Sequence, residues 1–194
     1  MRKGILVCFA IAMGMLGQSA FGQAPTATAT FTSQALAGSQ WQYNITVNNT
    51  SASQTIGTYW FSWQPTFPAD FMSGPAPTNI VSPAFWSANV EGSGNSSDGY
   101  SIQWVASSSI YYIPAGGQMQ FSFDSTLTPQ ELAGDSTITN AGSTPVGTSY
   151  VYHAGVFSDA GTNFTTTPAA VPEPVSLALV GAAALMCLRR RIAR

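Results

Sequence analysis

Between Gln23 and Ala170 the chain contains no lysine and no arginine. All six basic residues, Arg2, Lys3, Arg189, Arg190, Arg191 and Arg194, lie outside that stretch. Nucleic-acid binding through phosphate neutralisation is thereby excluded for the body, because no cation is present to release counterions. Phosphate clamps and Schiff-base chemistry fall with it. Cysteine is equally displaced: Cys8 and Cys187 flank the body, which therefore holds neither a disulfide nor a thiolate nucleophile. A single histidine, His153, leaves transition metals almost without ligands. The acids of the body are Asp70, Glu91, Asp98, Asp124, Glu131, Asp135 and Asp159, a formal charge of −7 with nothing to offset it. Salt bridges therefore cannot hold the fold, and stability must come from apolar burial and backbone hydrogen bonding. The 148 residues from Gln23 to Ala170 suit one domain with one core.

The missing cations are concentrated at the ends. Arg2-Lys3, an apolar run from Gly4 to Leu16 and the small-residue region after Gln18 make a secretory signal peptide, with cleavage expected after Gly22 or after Ala24. At the other end stand Val171-Pro172-Glu173-Pro174, an uncharged run from Val175 to Leu188, and Arg189-Arg190-Arg191. The two prolines lack backbone donors and restrict the residues before them, so this segment stays extended and accessible to an enzyme. As a helix, the fourteen residues 175–188 would span about 21 Å, short of a hydrocarbon core of about 30 Å. The arginine cluster favours a cytoplasmic end, and its side chains can snorkel to ease the mismatch. A single transmembrane helix is expected over 175–188.

A Pro-Glu-Pro tripeptide, a short apolar run and a terminal arginine cluster, in that order, resemble a PEP-CTERM sorting tail. The resemblance covers residues 171–194. It implies export, membrane insertion through the tail, and handover to an exosortase, a membrane enzyme thought to cut near the Pro-Glu-Pro. The implied partners are the export machinery and that enzyme, and the implied destination is the cell surface or extracellular matrix. The body is also similar to the small β domains found ahead of such tails, in its Pro114-Ala115-Gly116-Gly117 turn, its Met119–Phe123 strand and its Thr128-Pro129-Gln130-Glu131-Leu132 turn.

Within the body the dominant period is two. Trp41, Tyr43, Ile45 and Val47 alternate with polar residues, and Ile56 to Trp63 places Tyr59, Phe61 and Trp63 opposite Trp60. With a turn at Asn49 to Ser53, the two segments predict a hairpin. Ala24 to Thr30 reads as a lead-in or edge strand. Pro65, Pro68, Pro75, Pro77 and Pro83 predict a long connection, with Phe67 and Phe71 tucked against an end of the core. Further strands are expected at Phe85–Val90, Tyr100–Trp104, Met119–Phe123 and Ser149–Phe157, with Glu91 to Gly99 a polar loop and 158–170 a Thr/Pro/Ala linker. Thr128-Pro129-Gln130-Glu131 carries a capping box and a proline at the first helical position, so one helical turn ending at Gly134 is predicted. The fold class that follows is all-β: an antiparallel β-sandwich, immunoglobulin-like or fibronectin-like, with a jelly roll as the alternative.

Few chemical constellations survive. No Gly-x-Ser-x-Gly occurs, and His153 on an alternating strand is more simply a surface or core residue than a catalytic one. Glu91 and Glu131 have no sequence relation that brings them to glycosidase spacing. No catalytic residue and no required cofactor are assigned, and the body is expected to be non-enzymatic. Glu91, Asn95 and Asp98 in a glycine-rich stretch offer hard oxygen ligands for calcium, although the spacing matches no EF-hand. Trp60, opposite the inward face of its strand, is the candidate exposed ring for sugar contact, which would make the body a carbohydrate-binding module for extracellular polysaccharide. A small secreted hydrolase is the remaining alternative and would require His153 beside a carboxylate.

Overall fold

The computed structural model describes residues 23–154 and 160–170. The signal region, Asp159 and the sorting tail with residues 175–188 lie outside the described residues. The fold is all-β, with nine strands in one continuous sheet: β1 (Ala27–Ala35), β2 (Trp41–Asn49), β3 (Thr58–Phe61), β4 (Thr78–Val81), β5 (Trp86–Asn95), β6 (Asp98–Ala106), β7 (Gln118–Ser125), β8 (Thr148–Tyr152) and β9 (Gly161–Pro168). Their spatial order is β4-β7-β2-β1-β9-β8-β3-β6-β5. The sheet folds over on itself, so that rings from β7 meet rings from β3, β5 and β6 across one interior. Phe121 of β7 approaches Tyr59 at 5.3 Å, Trp104 at 5.0 Å and Trp86 at 5.4 Å between ring centroids, and Phe61 lies 5.3 Å from Phe123. Tyr59 and Trp104 stack with planes 8° apart. Each such side chain contributes roughly 1.5–3 kcal/mol on burial, which is how a chain without ion pairs in its body holds together.

The alternating patterns identified the inward faces of β2 and β6 correctly and the strand partners less well. The expected hairpin between Trp41–Val47 and Ile56–Trp63 does not form. β2 pairs with β1 and β7, while β3 pairs with β6 and β8 in the opposite half. Residues 50–57 cross between the halves instead. The Asn49 side-chain amide donates to the carbonyls of Gln54 and Ile113, and Ile56 bridges to Ile113. Because both strands bury aromatics inward, period two is satisfied equally by hairpin neighbours and by strands that face each other.

Three segments gain structure over the sequence expectation. Thr78 to Val81, within the proline-rich stretch read as a connection, form β4, an edge strand on β7. Residues 161–168, read as linker, form β9, an interior strand that joins the halves. Its first part pairs with β8 antiparallel, and Thr166 to Pro168 pair with Ala29 to Phe31 of β1 in parallel. The sheet is therefore mixed and not purely antiparallel. β1 is likewise interior, between β2 and β9, and not an edge. Glu91 to Gly99, read as loop, instead extends β5 and β6 into a long hairpin. The helix is as expected: α1 (Pro129–Ala133) has Thr128 accepting from the Glu131 N–H and Glu131 accepting from the Thr128 N–H, with Gly134 at its end. Of the two phenylalanines assigned to the core end, Phe71 is fully buried but Phe67 is 77% exposed.

Candidate functional site, an acidic cleft with an indole floor

On the outer face of β3 a second, smaller cluster gathers Trp60, Trp63 and Tyr152, with Ala69 and Tyr150 packed against it. Strict alternation would send Trp63 into the core beside Tyr59 and Phe61. Ser62 prevents this. Its φ of +61° reverses the local backbone sense, and Trp63 emerges on the side of Trp60, with ring centroids 4.4 Å apart. The chain then doubles back: Trp63 bridges Asp70, the Phe71 N–H donates to Ser62 O, and the Gln64 N–H donates to Ala69 O. Trp60, expected as an exposed ring, is consequently 2% exposed. The doubled-back segment and the tyrosines of β8 cover it, and burial pushes the Tyr152 hydroxyl up to about 12.

The same segment fixes Asp70. Its carbonyl accepts from the Gly99 N–H at 3.1 Å, and Met72 and Tyr100 exchange backbone bonds of 3.0 and 2.7 Å. The approach is close enough that a Cβ on Gly99 would sit 2.8 Å from Met72 N. Opposite, the β5–β6 hairpin bends at Gly92, where φ is +93° and a Cβ would fall 1.9 Å from the Gly99 carbonyl oxygen. The result is a cleft of about 420 Å³. Trp60, Trp63 and Gln103 form its floor, and Asp70, Glu91, Gly92 and Asp98 form its walls.

Its electrostatics are one-sided. Three carboxylates face a space with no lysine or arginine anywhere in the body. Asp70 is 7% exposed, and its Oδ1 is shielded from solvent and accepts no hydrogen bond. Burial pushes the Asp70 carboxyl up to about 6. The Ser101 hydroxyl opposes this, and the neighbouring Asp98 and Glu91 charges add to it. Glu91 accepts a hydrogen bond from the Asn89 amide.

Of the sequence-derived calcium trio, Glu91 and Asp98 line the cleft, while Asn95 belongs to the hairpin turn. Asn95 Oδ1 accepts from the Ser97 N–H, the Ser97 hydroxyl and the Asp98 N–H, and its amide donates to Ser93. Asp70 and Gln103 were not singled out from sequence. The available signal for Asp70 was a lone carboxylate between Ala69 and Phe71-Met72. Glu131 lies in the capping box of α1, and the Thr128 backbone and hydroxyl hold its carboxyl below the usual range. His153 Nδ1 lies 3.1 Å from Thr55 Oγ1 and 3.2 Å from Thr55 O, and its ring meets Tyr112 edge-on. The sorting residues Val171, Pro172, Glu173, Pro174, Arg189, Arg190 and Arg191 lie outside the described residues. Among the described residues no helix is long and apolar enough to cross a membrane.

No family model and no curated protein matches the chain. Among solved structures it is similar to a GH20 exo-β-N-acetylglucosaminidase from Vibrio harveyi in complex with N-acetylglucosamine, at 11% identity and a TM-score of 0.37. That match covers 75% of this chain and 19% of the glycosidase chain. A family IIIA CBD from Clostridium cellulolyticum is similar at 14% identity and a TM-score of 0.33, over 53% of this chain and 73% of the other. Likenesses at this level carry neither fold nor activity across to this protein.

Proposed function

We propose that this chain is an exported, non-enzymatic surface or extracellular-matrix protein, delivered through a signal peptide and sorted by an exosortase-type system acting on its tail. The observation that carries this reading is the partition of charge: every lysine and arginine sits in the two terminal segments, and the intervening domain has none. We take the folded-over sheet as a β-sandwich cargo, immunoglobulin-like or fibronectin-like, with the jelly roll as its alternative. The test is to replace Pro172, Glu173 and Pro174 together by alanine in the native host. The protein should then accumulate in the membrane fraction at unprocessed mass. A distribution and mass identical to wild type would refute the reading.

The cleft favours one second reading, a carbohydrate-binding module acting on extracellular polysaccharide. Indoles edged by an amide and carboxylates offer stacking faces and hydrogen-bonding groups of the kind that sugar rings and hydroxyls use. Saturable retention on a polysaccharide column, weakened in Gln103→Ala with unfolding behaviour unchanged, would support it. Absence of retention on the polysaccharides of its own host would remove it.

A further inference from the structure

We infer that the cleft between the β5–β6 hairpin and the Asp70 segment is a divalent-cation site, with Asp70 and Asp98 as its principal ligands and calcium as the ion it suits best. Both carboxyl groups line one cleft, and Glu91 on the same cleft adds a third negative charge. The body holds no lysine or arginine to pair with them, so a counter-cation for these carboxylates comes from solvent.

Asp70 makes the stronger demand. Asp70 lines the cleft, and its Oδ1 is closed to solvent and receives no hydrogen bond, an expensive arrangement for a carboxylate oxygen that meets no cation. Asp98 accepts a hydrogen bond on Oδ2 from Ser93 at 3.3 Å, which leaves Oδ1 available. Carboxylate oxygens, with Gln103 lining the same cleft, form a hard donor set, which selects calcium over zinc or copper. Among the described residues no three carboxylate, histidine or cysteine side chains gather closely enough to bind an ion together. The site therefore rests on two direct carboxylates completed by water, with Glu91 contributing charge. Sites of this kind bind calcium at about 10⁻⁴–10⁻³ M, the range of extracellular modules.

The placement gives a direct spectroscopic test. Trp60 and Trp63 floor the cleft, so terbium bound there is excited through the indoles. The exported protein, recovered in detergent and stripped with EDTA, should show indole-sensitised terbium emission that calcium displaces. Calcium at about a hundred times its Kd should raise Tm by roughly 5–10 °C. Asp70→Asn should abolish both effects. Asp98→Asn, on the more accessible hairpin, should weaken binding at least about tenfold and tests the site even where the Asp70 variant folds poorly. Asp135→Asn should leave both effects intact. Absence of emission and of a Tm shift in the wild type at millimolar calcium would overturn the site, as would undiminished effects in the Asp70 and Asp98 variants. Neither result bears on export, sorting or sugar retention, which are read out separately.

Discussion

The Tyr59 hydroxyl lies 3.1 Å from Oγ1 of Thr166, and Thr166 in turn lies 2.8 Å from Ser149 Oγ. All three are buried, at the point where β9 leaves β8 and takes up β1. The hydroxyl cluster thus ties the core aromatic of β3 to the strand that joins the two halves. Replacing Thr166 by valine keeps the volume but leaves Tyr59 only the longer 3.4 Å approach to Ser149. Thr166→Val should cost about 1–3 kcal/mol, measured by urea denaturation with an unchanged m value.

Gly92 sets the bend of the hairpin that walls the cleft. A methyl group there meets the Gly99 carbonyl and requires a left-handed backbone that alanine disfavours. Gly92→Ala should lower stability by at least about 2 kcal/mol and, if calcium binds as inferred, weaken sensitised terbium emission as well.

The capping box of α1 accounts for a smaller, separable share. Thr128→Ala removes the acceptor for the Glu131 N–H and the hydroxyl that helps hold Glu131 low, while the backbone N–H of residue 128, the larger cause, remains, so a loss of about 1 kcal/mol is expected. Glu131 is exposed, and its carboxyl is lowered in the folded state. Its small contribution should be present above the ordinary glutamate range and fade as pH falls through the folded value.

Asp70 should behave with the opposite sign. Its folded value near 6 stands above the ordinary 3.8, so between those limits the folded state binds the extra proton. Stability from this group is greatest below about pH 4 and is lost as pH rises through 6. Asp98 and Glu91 from the hairpin and Ser101 from β6 are the polar groups acting on it. In EDTA, Asp70→Asn should be more stable than wild type at pH 7 by about 2–3 kcal/mol, and the difference should shrink towards pH 4. Thermal unfolding of both proteins across pH 4–8 checks it. Equal stability at every pH would contradict the burial of a charged Asp70.

Much of the fold was legible because period two is a direct consequence of one buried sheet face. Tyr43, Ile45 and Val47, and likewise Ile102 and Trp104, point inward as their spacing requires. What period two does not encode is which strand lies alongside, and so β2 and β3 read as neighbours when they lie in opposite halves of the sheet. β9 was hidden by composition: Thr165, Thr166 and Thr167 are good strand formers but look like a linker beside Pro168 and Ala169-Ala170. The cleft was half legible. Glu91 and Asp98 were visible as acids in one stretch, but Asp70 arrives from a proline-rich connection, and a single φ reversal at Ser62 decided where Trp63 went.

The most direct test of the account is mass spectrometry of the protein recovered from its native host. The expected species begins at Gln23 or Pro25 and lacks Arg189, Arg190 and Arg191, with cleavage near Pro172-Glu173-Pro174. Recovery of the intact chain from the cytosol, with both cationic ends retained, would contradict it.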